Sequence, residues 1–140
     1  MDKWQIQQRI NSLRWSRETY EDEISKLEAK KNRTKLEYTK KHRQAMQVSK
    51  FYASKRTNIT SIKDSINGKA TALAIAKCEE TYCVGNEDTI TQYIQSARAC
   101  LKSNMDRIDE EIVEIKGQIS SINWEITRLN KLLSETESEE

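Results

Sequence analysis

Ile108–Leu133 reads IDEEIVEIKGQISSINWEITRLNKLL. Its apolar residues Ile108, Ile112, Ile115, Ile119, Ile122, Ile126, Leu129 and Leu133 alternate spacings of four and three, and Leu101 and Met105 carry the row upstream. Such alternation winds a narrow apolar seam along one side of a helix, the a/d repeat of a coiled coil. A seam of this kind is stable only when another helix covers it, so the stretch decides the fold class as all-α. The helix is expected from about Thr89 to Leu133, with Asp88 and Thr89 offering capping side chains and SETESEE (134–140) fraying as an acidic tail. Gly117 interrupts it at a cost of about 1 kcal/mol relative to alanine. Close approach of another helix would explain that glycine, and a harmless surface position would explain it equally well.

The N-terminal arm keeps the same beat. Ile6, Ile10, Leu13, Tyr20, Ile24, Leu27, Tyr38, Ala45, Val48 and Tyr52 follow a 3.5-residue repeat, with Arg17, Lys31, Thr34 and Lys41 at intervening seam positions. Polar residues in the seam make a poor self-associating zipper. The arm reads instead as one that takes a partner along part of its length, either the C-terminal helix or another protein. The predicted long helix covers about 2–66.

Between the arms, KDSINGKATALAIAKCEETYCVGNED (Lys63–Asp88) holds the chain's first two glycines and two of its three cysteines. Ile66-Asn67-Gly68 is a turn-type sequence, because glycine accepts backbone angles that end a helix without steric cost. A short helix is predicted over 69–82, with Ala70, Leu73, Ala74 and Ala76 small enough to pack closely on the long arms. Val84-Gly85-Asn86 ends it. The expected architecture is an elongated antiparallel helical hairpin or coiled coil with a short connecting helix, forming a single helical domain over 1–140.

Composition agrees. Apolar residues make up 36% and charged residues 33%, with no proline, three glycines and one phenylalanine, too little bulky material for a wide core. Net charge is +2, yet 26–63 carries 12 Lys and Arg against two acids, whereas 79–140 carries 14 acids against six bases. A basic block alone would suggest nucleic acid. With a complementary acidic block in the same chain, antiparallel pairing of the two regions is the better reading, and nucleic-acid binding is not expected. The polar start MDKWQIQQRI carries no apolar signal segment, and no window is apolar enough to span a bilayer.

A long polar helix, the Ile66-Asn67-Gly68 turn followed by Lys69-Ala70, and a second long arm resemble the small helical proteins of Gram-positive type VII secretion, which carry a Trp-x-Gly or Leu-x-Gly turn. The long charged start is most similar to the helical accessory proteins encoded beside LXG toxins. Ile66 stands where tryptophan is expected. No tyrosine carries an acid four residues on: Tyr20, Tyr38, Tyr52, Tyr82 and Tyr93 are followed by Ile24, His42, Arg56, Asn86 and Ala97. The resemblance implies a targeting factor or chaperone that binds the helical N-terminal domain of a secreted toxin, with a second small helical protein or a homodimer as further partners. It implies residence in the cytoplasm or export with the partner by a route that needs no signal peptide. A coiled-coil adaptor or dimeric structural protein is the alternative.

Nothing in the sequence points to catalysis or to a cofactor. His42 lies within the basic block, the Glu-x-x-His pairs of di-iron bundles are missing, and there is no glycine-rich phosphate loop. Cys78, Cys83 and Cys100 lack a fourth ligand at zinc spacing and read as buried or half-buried thiols, with a Cys78–Cys83 or Cys83–Cys100 disulfide as the sharper alternative. Trp4, Trp15 and Trp124 fall at one end of an antiparallel pair, where they either pack between the arms or, with Tyr20, present a partner-binding surface. Trp15, two residues past the seam residue Leu13, is the one assigned to a partner.

Overall fold

A computed structural model describes residues 1–65, 68–83 and 85–139. Three helices follow one another: α1 (Lys3–Ser65), α2 (Lys69–Tyr82) and α3 (Asn86–Glu139). α1 packs antiparallel against α2 and α3, giving an all-α hairpin with the short helix near its turn. The chain divides into two compact units, Met1–Arg33 with Met105–Glu140, and Thr34–Asn104.

In the first unit, α1 begins with a reciprocal cap. The Gln5 amide donates to Asp2 Oδ1 at 2.8 Å, while the Asp2 amide donates to Gln5 Oε1 at 3.0 Å, so two otherwise unmet backbone donors are satisfied. Ile6, Ile10 and Leu13 then meet Ile126 and Leu129 in a buried cluster flanked by Ile122, Leu132 and Leu133. All but Leu132, which lies beside the row, are seam residues the spacing picks out, and their burial helps hold the two helices together. The polar seam positions of α1 reach across to α3. Arg17 donates to Asn123 Oδ1 at 2.9 Å, and Lys31 pairs with Asp109 at 2.6 Å. Lys3–Glu137 and Arg9–Glu125 add ion pairs at the edge, each exposed and contributing up to about 1 kcal/mol.

α3 departs from its expected bounds at both ends. It starts at Asn86, where Glu87 and Asp88 in the first turn favour the helix dipole. It runs on to Glu139, so the described part of the acidic tail is helical. Leu132 and Leu133 pack on the cluster and Lys3 meets Glu137, giving the last turns a tertiary hold that composition hides.

In the second unit, Tyr52 and Ile59 are the buried seam residues of α1. Tyr38 meets Arg98: the guanidinium lies 4.6 Å from the ring centroid and donates to the Tyr38 hydroxyl at 3.1 Å. Arg98 Nε is buried without an acceptor among the described residues. Taking part of a charged guanidinium out of water costs free energy, which the contacts with the Tyr38 ring and hydroxyl offset in part. Gly68 and Gly85 carry φ of +138° and +75°, backbone that only glycine adopts readily, and so set where α2 and α3 begin. Ile66 and Asn67 of the expected turn, and Val84 of the second break, lie outside the described residues. α2 buries none of its residues. Thr71, Ala74, Ile75 and Cys78 face Ile59 and Ile62 of α1, whereas Leu73, expected to pack, is 74% exposed.

Candidate functional site

The second unit carries an unfilled apolar groove. α1 contributes Gln44, Gln47, Val48, Phe51 and Tyr52, α3 contributes Ile90 and Ile94, and the open space between them is about 430 Å³. Its lining follows from helical spacing. Val48 and Tyr52 belong to the α1 seam, and Gln44, Gln47 and Phe51 lie beside it on the same flank, so a strip wider than the two-residue seam remains for α3 to cover only partly. Phe51 is 50% exposed and Ile90 38%.

Two lining residues of the groove, Phe51 and Tyr52, also belong to a cluster of aromatic rings from two helices. Phe51 and Tyr52 meet edge to face at 5.5 Å, and Tyr82, at the end of α2, sits 6.1 Å from each. Lys55 lies over Phe51 and Tyr82 at 5.5 and 5.9 Å. Such contacts orient rings and contribute about 0.5–1 kcal/mol each at exposed sites. Arg56, one residue on, pairs with Glu87 at the start of α3. The Glu87 hydrogen bond holds the Arg56 guanidinium above its already high range, so it stays protonated wherever the fold persists.

The outer rim is basic. Lys40, Arg43 and Lys50 lie one step round α1 from the groove, and Arg43 and Lys50 have no ion-pair partner among the described residues. Elsewhere the charged blocks do meet: Lys31–Asp109, Arg56–Glu87 and Lys63–Glu79 join the basic stretch to the acidic one.

No protein-family model, curated protein or solved structure matches this chain.

The residues singled out from the sequence fall in different places. Trp4, Trp15 and Trp124 are 70%, 70% and 69% exposed, so none is packed between the arms. Each lies two residues from a seam position (Ile6, Leu13 and Ile122), roughly 200° around its helix. They therefore point outward from the backs of α1 and α3 and do not form one patch. Tyr20 is a half-buried seam residue. Gly68 of the turn is exposed, and its companions lie outside the described residues. Cys78, Cys83 and Cys100 are free and exposed, which corrects the expectation of buried thiols. In α2 this follows from its position: a short helix that touches α1 along one side has no interior in which to hide them. The described residues include no group of three His, Cys, Asp or Glu able to hold a metal, and no helix among them is long and apolar enough to cross a membrane. The groove itself was missed because Phe51 is distant in sequence from Ile90 and Ile94. The available signal was the pair Phe51-Tyr52, where the chain's only phenylalanine abuts a seam tyrosine.

Proposed function

We propose that the chain is a non-enzymatic binding partner that seats an amphipathic helix with an acidic flank in the groove of Thr34–Asn104. The observation carrying this reading is the apolar floor of Val48, Phe51, Ile90 and Ile94 beside the ion-pair-free Arg43 and Lys50. A helix laid there would bury apolar side chains on the floor and place carboxylates against the rim. Other exposed large side chains of the same unit, Leu36 and Met46 among them, add to the apolar surface available to a partner.

The client we favour is the helical N-terminal domain of a type VII secreted LXG toxin, with the chain acting as its targeting factor or chaperone. Support for that client comes from the overall pattern of two long helices around an apolar-x-Gly turn. The test is titration of the purified chain with the N-terminal helical domain of an LXG toxin from the same organism. A defined complex that Phe51→Glu abolishes is expected, with circular dichroism showing unchanged helicity. No complex, or one indifferent to Phe51→Glu, would contradict the proposal.

A further inference from the structure

We infer that the outer face of α3 in the first unit is self-complementary and takes a second copy of this chain, antiparallel, about a twofold axis between Ser120 and Ser121. Glu110, Gly117, Trp124 and Lys131 recur at every seventh residue on the side of α3 away from its seam, and all four are exposed. Trp124 is 69% exposed, and a Cβ placed on Gly117 would meet no atom within 4 Å. The side chain that projects most on this face and the one that projects least therefore lie one heptad apart, about 10.5 Å along the axis.

Gly117 and Trp124 are equidistant from the point between Ser120 and Ser121, as are Glu110 and Lys131. Reversing a second α3 about that point sets each Trp124 over the other copy's Gly117 and each Glu110 against the other copy's Lys131. Knob meets hole and acid meets base, twice each. A parallel pairing in register would instead oppose tryptophan to tryptophan and like charge to like. Neither Glu110 nor Lys131 has an ion-pair partner within its own chain among the described residues.

The centre of the face can be covered cheaply. Ser120 and Ser121 are small enough for two backbones to come close. Ser121 Oγ already donates to the Gly117 carbonyl at 3.2 Å, and Thr127 Oγ1 to the Asn123 carbonyl at 2.9 Å, so covering the Ser121 and Thr127 hydroxyls strands neither donor. Val113, 69% exposed, adds apolar surface beside Gly117. A single helix crossing is small among specific interfaces, so the dimer dissociates at concentrations on the order of micromolar.

Sedimentation velocity of the purified chain from low-micromolar to sub-millimolar concentration tests this. A monomer–dimer equilibrium is expected, lost in Trp124→Ala and in Gly117→Leu. The second variant replaces glycine with a strong helix former at an exposed position, so helicity that holds or rises excludes unfolding as the cause. Glu110→Lys should weaken the dimer roughly three- to tenfold at low salt, and Glu110→Lys combined with Lys131→Glu should restore it. A chain monomeric throughout, a dimer that survives both Gly117→Leu and Trp124→Ala, or a double charge reversal no tighter than the single one would overturn the inference.

Discussion

Ile10 and Leu129 are each 1% exposed and belong to one cluster, while Trp15, a larger apolar side chain five residues along the same helix from Ile10, is 70% exposed. Their replacement by alanine should therefore separate widely. Ile10→Ala and Leu129→Ala are expected to cost about 2–5 kcal/mol in denaturant unfolding. Trp15→Ala should stay within about 0.5 kcal/mol. A large loss for Trp15→Ala would place it in packing that its exposure excludes. This contrast was legible by counting, because Ile10 and Leu129 sit on the four-three row and Trp15 does not. The same count from Ile6 and Ile122 puts Trp4 and Trp124 outside the seam. Gly68 is a second residue with a defined cost: with φ of +138°, Gly68→Ala should lower stability by about 1–3 kcal/mol, although a Cβ there would meet nothing closer than Thr71 Oγ1 at 4.0 Å. The penalty would be backbone strain alone, and an unchanged unfolding midpoint would contradict it.

Among the elements, α2 is the weakly held one. It buries no residue, and what ties it to α1 is the Tyr82 ring with Phe51, Tyr52 and Lys55, the Lys63–Glu79 pair at 3.1 Å and the small contact around Ile59 and Ile62. Elements with few buried contacts open at a fraction of the global free energy. Hydrogen exchange should accordingly be fast over 69–82 and become faster in Tyr82→Ala, with protection around Ile10 and Leu129 unchanged. Equal slowing of exchange across all three helices would count against this view of α2. The existence of α2 could be read from Gly68 and Gly85, but its packing face could not. Alanines at 70, 74 and 76 suggested a small-residue face with Leu73, whereas contact runs through Thr71, Ala74, Ile75 and Cys78. In so short an apolar run, spacing alone does not choose the side that meets α1. The C-terminal end of α3 was hidden for a similar reason. SETESEE has no apolar residue to mark a helix, and what holds its described part helical is tertiary, through Leu132, Leu133 and Lys3.

For the whole molecule, the charge segregation divides along the two units. Thr34–Asn104 holds 12 bases against six acids, a net of +6, and the remaining residues hold 16 acids against 12 bases, a net of −4. The groove lies on the basic unit, so association with an acidic helix should be accelerated by attraction and slowed by added salt. Arg43→Glu with Lys50→Glu should lower the association rate about tenfold at low ionic strength and leave unfolding stability within about 0.5 kcal/mol. The segregation was visible in the sequence, as was the pairing of basic arm with acidic arm. What the blocks could not disclose is which bases remain unspent, since that depends on which of them face α3. The central claim is that the groove of Val48, Phe51, Ile90 and Ile94 seats a helix, and hydrogen exchange with mass spectrometry tests it most directly. The chain would be measured alone and with the N-terminal helical domain of an LXG toxin from the same organism. New protection confined to the segments around 44–52 and 90–94 is the expected result. Binding that protects other segments and leaves those two unchanged, or no binding at all, would contradict the account.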